Sequence, residues 1–92
     1  MRKAYIVNYD LNKTKDYESL FAEIRKLGGR RVLKSCWLVI SSLSAKVLRD
    51  RLLSVMDGDD GIFVARAHGE AAWRNVECES NWLKENLESV MA

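Results

Sequence analysis

YESLFAEIRKLGGRRVLKSCWLVI, residues 17–40, decides the fold. Tyr17, Leu20, Phe21, Ile24 and Leu27 recur at the spacing of one helical stripe. Asp16 precedes the stripe as an N-terminal cap or first-turn acid. Lys26 stands in the last turn and Gly28 just beyond the stripe, both stop signals. Arg30 to Lys34 and Cys36 to Ile40 are then two β-favouring runs that meet near Lys34-Ser35. One helix followed at once by a pair of strands is the kernel of the prediction.

Working outward, Ala4 to Tyr9 reads as a strand, with Tyr5, Val7 and Tyr9 on one face and Ile6, Asn8 and Asp10 on the other. Downstream, Ser44 caps a second helix with the stripe Ala45, Leu48, Leu52, Val55 and Met56. Asp57-Gly58-Asp59-Asp60-Gly61 is a turn, and Ile62 to Ala67 is a fourth strand. Trp73 to Val76 is a candidate fifth strand. Ser80 is placed as the cap of a last helix carrying Trp82, Leu83, Leu87, Val90 and Met91. The order βαββαβ, with two one-stripe helices, predicts an α+β, ferredoxin-like domain. Its sheet is antiparallel, in the order 4-1-3-2. The whole chain, 1–92, reads as one domain, with a core at 3–68 and an extension at 69–92. Both helices fall on one sheet face, and the opposite face is expected to be bare. That bare face, with Trp73 and the last stripe, predicts a homodimer.

Composition narrows the class. The 92 residues are 48% apolar and 30% charged and contain no proline. That excludes disordered, collagenous and disulfide-framework chains. No apolar run approaches the ~18 residues of a membrane span, and no secretory signal is read in Met1-Arg2-Lys3. Cys36 and Cys78 form no CxxC pair and read as reduced thiols, which predicts a cytoplasmic protein. With His68 as the one histidine, no Cys/His zinc set is read. Charge is uneven: residues 1–56 carry 12 basic and 5 acidic side chains, residues 57–92 carry 3 and 8. A basic front half fits either a polyanion ligand or complementary charge within a dimer.

The topology gathers three strand ends at one edge, so Asp10 is expected near the Lys34-Ser35 turn and near the Asp57–Asp60 turn. A carboxylate there reads either as a ligand for Mg²⁺, with two copies of Asp10 paired in the dimer, or as the closing group of an Asx turn. Asp10 is therefore the candidate catalytic and metal residue. Asp57, Asp59 and Asp60 resemble half a calcium loop without its later glutamate. Arg30, Arg31 and Lys34 beside Trp37 read either as a phosphate-contacting, base-stacking patch for RNA or DNA or as a solvated edge strand with a core tryptophan. Ser35 has no histidine–acid pair to make it a nucleophile.

Tyr-Ile-Val-Asn-Tyr-Asp at 5–10 and Arg-Val-Leu-Lys-Ser-Cys-Trp at 31–37 resemble the small CRISPR-adaptation subunit family. With Gly69-Glu70-Ala71-Ala72-Trp73 and Ser80-Asn81-Trp82-Leu83, the chain resembles most its stand-alone, SinR-like relatives, over nearly its whole length. The resemblance implies a ferredoxin-like homodimer with magnesium held by the strand-1 acid between subunits. It also implies that members either cleave RNA or DNA or brace an integrase complex on DNA. Tyr9 and Asp10 match the strand-1 motif, Arg31 the strand-2 arginine and Trp37 the strand-3 aromatic. Where members carry a basic run early in the first helix, this chain reads Lys15-Asp16-Tyr17-Glu18-Ser19. The expectation is thus a non-catalytic scaffold that binds nucleic acid or a protein partner through Tyr9, Arg30, Arg31, Lys34 and Trp37. A Mg²⁺-dependent endonuclease using paired Asp10 is the alternative.

Overall fold

The computed structural model describes residues 1–13 and 17–91, with 88–91 as backbone only, and the Asp16 cap lies outside the described residues. Four strands and three helices follow in the order β1 (Lys3–Asp10), α1 (Glu18–Lys26), β2 (Gly29–Leu33), β3 (Cys36–Ser41), α2 (Ala45–Leu53), β4 (Gly61–Arg66) and α3 (Ser80–Met91). All pairings are antiparallel, and the sheet runs β2-β3-β1-β4, the expected order read from its other edge.

Period-two alternation sorts β1 between two cores. Tyr5, Val7 and Tyr9 join Trp37 and Val39 beneath Leu20 and Ile24 of α1 and Leu48 and Leu52 of α2. Full burial of each such aliphatic side chain stabilises by roughly 2 kcal/mol. Ser44 caps α2 as its sequence foretells, its Oγ accepting from the Val47 amide at 3.2 Å. Between α1 and β2 the chain turns on a glycine pair. Gly28 sits at φ +95°, and a Cβ on Gly29 would come within 2.5 Å of Ile24 Cγ2. A side chain at either position forces a shift, so these glycines lock β2 against α1.

The bare second face is corrected by the structure. Leu83 and Leu87 of α3 lie on Ala4 and Leu38, with Ile6, Val32, Ile40, Trp73 and Trp82 packed around them. Covering its own sheet buries the α3 stripe without a second chain. Two further expectations change. Residues 73–76 are not a strand: the extension meets the β2 edge where the Glu77 N–H donates to the Val32 carbonyl at 2.9 Å. Ser80 is the first helical residue rather than the cap. The Glu79 carbonyl accepts from Leu83 N, and Ser80 Oγ accepts from Trp73 Nε1 at 3.2 Å.

Candidate nucleic-acid interface

The rim formed by β2 and the end of α1 concentrates unpaired positive charge. Arg31 lies directly across from Trp37 and Arg30 from Leu38, so adjacent arginines leave opposite faces of one edge strand. Phe21 and Arg25 are four residues apart on α1 and so share a helix face over Trp37. The Arg31 guanidinium rests 4.4 Å from the Phe21 ring centre and 4.9 Å from that of Trp37. Arg25 lies 5.4 Å from the Trp37 ring, and Arg30 lies 4.9 Å from Trp82 of α3. Each such contact contributes about 0.5–1 kcal/mol and, more usefully, restricts a long side chain to one region. Among the described residues none of these three arginines makes an ion pair. They line an open groove of about 530 Å³ together with Gly29, Trp37, Glu77, Cys78 and Glu79.

Trp37 and Tyr9 have roles other than the expected contact with a base. Trp37 is 1% exposed, and its Nε1 donates to Tyr9 Oη at 2.9 Å. Tyr9, also buried, donates onward to the Lys34 carbonyl at 3.2 Å. This short chain satisfies both buried polar atoms and fixes the β2–β3 turn. Trp37 supports guanidinium groups and offers no ring to a stacking base. Lys34 is exposed at that turn. Arg25 is the contributor that sequence reading missed. Its signal was the four-residue spacing from Phe21 on the same stripe.

At the other end of the sheet, Asp10 pairs with Gly61, and Tyr9 N donates to the Ser35 carbonyl at 3.2 Å, so the predicted gathering of strand ends is present. Asp10 is exposed, and among the described residues its carboxylate closes no Asx turn. It lines a groove of about 350 Å³ with Asn8, Tyr9, Ser35, Gly61, Ile62 and Phe63, and none of these adds a second carboxylate. Arg30 and Arg31 line the other groove, so one chain does not bring Asp10 and Arg31 together. Among the described residues no group of three His, Cys, Asp or Glu is placed to hold a metal.

The Asp57–Asp60 turn is a staple. Asp60 accepts from Asn12 N at 2.8 Å, Asp57 N at 2.8 Å and Tyr17 Oη at 3.1 Å. Asn12 also donates to the Asp59 carbonyl, and Lys13 pairs with Asp59 at 3.2 Å. Burial and the neighbouring Asp60 and Asp57 carboxylates raise the Tyr17 phenol above its ordinary pKa. Burial likewise raises the Cys36 thiol, with Cys78 adding to it, and burial raises the Cys78 thiol. Both therefore stay protonated and poorly nucleophilic at neutral pH. No helix among the described residues is long and apolar enough to cross a membrane. No protein-family model matches the chain.

Proposed function

We propose that the chain is a non-catalytic scaffold that binds nucleic acid along the β2 rim. The observation that carries this reading is the trio Arg25, Arg30 and Arg31, each lying over an aromatic ring and none, among the described residues, spent on an ion pair. Guanidinium forks match phosphate geometry, and release of counterions from a polyanion supplies the driving force. The resemblance of 5–10 and 31–37 to the small CRISPR-adaptation subunit family supports the same reading, and Lys34 adds an exposed positive charge at the β2–β3 turn. The two unpaired thiols fit a reducing cytoplasm. Fluorescence anisotropy with labelled RNA, single-stranded DNA and duplex DNA at low salt tests it. Binding that weakens steeply with salt is expected, and flat isotherms for all three would leave a protein partner in place of nucleic acid.

A second reading, the Mg²⁺-dependent endonuclease, draws on one separate observation. Phe63 is 64% exposed beside Asp10, on the end of the sheet face where Asn8 and Asp10 are also exposed. A second copy seated there would cover Phe63 and bring two Asp10 carboxylates together, the ligand number magnesium takes from protein in phosphoryl chemistry. Light scattering and a metal-dependent nuclease assay, each run beside Phe63→Ser and Asp10→Ala, test it. A monomer mass, or cleavage undiminished in Asp10→Ala, removes this reading.

A further inference from the structure

We infer that β4 is a pairing edge for a second copy of this chain. Two β4 strands join antiparallel about a twofold axis at Phe63 and turn two four-stranded sheets into one of eight. The sheet has two unlike borders. β2 carries Arg30 and Arg31, is interrupted by the register shift between Arg31 and Leu33, and has its Val32 carbonyl taken by the Glu77 amide. Charge, irregularity and a covering segment are the devices that keep an outermost strand from adding another. β4 has none of them. Its residues 61–65 are uncharged and free of proline, and all six of its residues pair with β1 in unbroken register.

Backbone direction and side chains agree on one partner. The Ala67 amide donates to the Ala4 carbonyl, so in this antiparallel register the odd-numbered residues of β4 bond inward to β1. Ile62, Val64 and Arg66 therefore turn their N–H and C=O groups outward, where no other strand meets them among the described residues. A second β4 centred on Phe63 sets Ile62 of each chain opposite Val64 of the other, two hydrogen-bonded pairs. Phe63 then faces Phe63 in a non-hydrogen-bonded pair, where side chains come closest, and two rings that are each 64% exposed are covered. On the other face Ile62 and Val64 are half-buried at the border of the helix-covered core, which the pairing makes continuous. At each end Arg66, which forms no ion pair among the described residues, falls opposite Asp60 in the acidic turn of the other chain. Moving the centre to Val64 would set Ile62 against Arg66 and lose both matches. Asp-Gly-Ile-Phe-Val-Ala-Arg, 60–66, is thus its own antiparallel complement, which selects a second copy over an unrelated strand.

Light scattering on the full chain at about 100 μM should give twice the 10.6 kDa of one chain. Val64→Pro removes an outward amide and spares the ladder to β1, and Phe63→Lys, at a position already exposed, sets two like charges together at the axis. Each should halve that mass while the circular dichroism stays that of the folded chain. Cysteine placement reads the register. Phe63→Cys, with Cα atoms about 4.5 Å apart across the axis, should give a covalent dimer on oxidation with diamide. Ala65→Cys, whose two copies lie about 13 Å apart along the strands, should give no more than the wild-type chain with its own two thiols. A monomer mass for the wild type overturns the inference. So does a dimer that survives Val64→Pro, since a copy seated over the sheet face at Phe63 and Asp10 needs no outward amide. Equal cross-linking of the two cysteine variants overturns the register centred on Phe63.

Discussion

The two ends of the sheet handle charge in opposite ways. At the strand-1 end, Asp60 and Asp59 are consumed by Asn12, Tyr17, Lys13 and the backbone of Asp57. At the β2 rim, three arginines rest on rings and, among the described residues, form no ion pair. Acidic clusters and basic clusters look equally eligible as sites in a sequence. Internal satisfaction separates them: a carboxylate with three donors already in place is structure, while a guanidinium held in position without a counter-ion is available for a ligand.

The contrast can be broken most forcefully at Asp60. Asp60→Ala removes the acceptor of three hydrogen bonds, two of which join the β1–α1 connection to the α2–β4 turn, and should lower stability by about 2 kcal/mol. Chemical denaturation reads this as a lower midpoint, and anisotropy should find polyanion affinity unchanged. A stable variant that binds differently would erase the division between the two ends. The complementary change is Arg25→Gln with Arg30→Gln. It should lower the denaturation midpoint only by the loss of two ring contacts, about 0.5–1 kcal/mol each, reduce affinity for single-stranded nucleic acid about tenfold at moderate salt, and flatten the log–log salt slope by ~1.4. An unaltered slope would mean that the bound phosphates lie elsewhere.

A smaller effect sharpens the view of the satisfied end. The Tyr17 phenol is raised in the folded state, so its contribution is fully present below the unfolded value near pH 10 and is lost as pH climbs through the folded value. Melting temperature should therefore fall on going from about pH 9 to pH 11, and the fall should be shallower in Tyr17→Phe. Parallel curves for the two proteins would remove Tyr17 from the alkaline transition.

What could be read in the sequence follows from which signals are local. The Tyr17–Leu27 stripe, the Ser44 cap and the hairpin at Lys34-Ser35 each depend on neighbours a few residues away, and each has its place in the structure. The destination of α3 is a different kind of question. Trp82, Leu83 and Leu87 state that a stripe must be covered, and its own sheet or another chain's satisfies that equally. Similarly, Trp37 beside a basic run looks like a stacking ring until α1 places Phe21 and Arg25 near it. Asp10 stands among the strand ends because antiparallel pairing alone puts it there. Its separation from Arg31 follows from sheet width, which the pattern of residues does not display.

Arg30 and Arg31 adjoin in the chain yet emerge on opposite sides of an outermost strand. Anything that touches both must bend round the border of the sheet instead of lying flat across it. Curvature of the guest thus becomes a selection rule alongside charge: supple ends can wrap the border, and rigid, straight partners reach one arginine at a time. One residue inserted after Gly29 would exchange the two side chains between faces and rewrite that rule, leaving composition and net charge almost untouched.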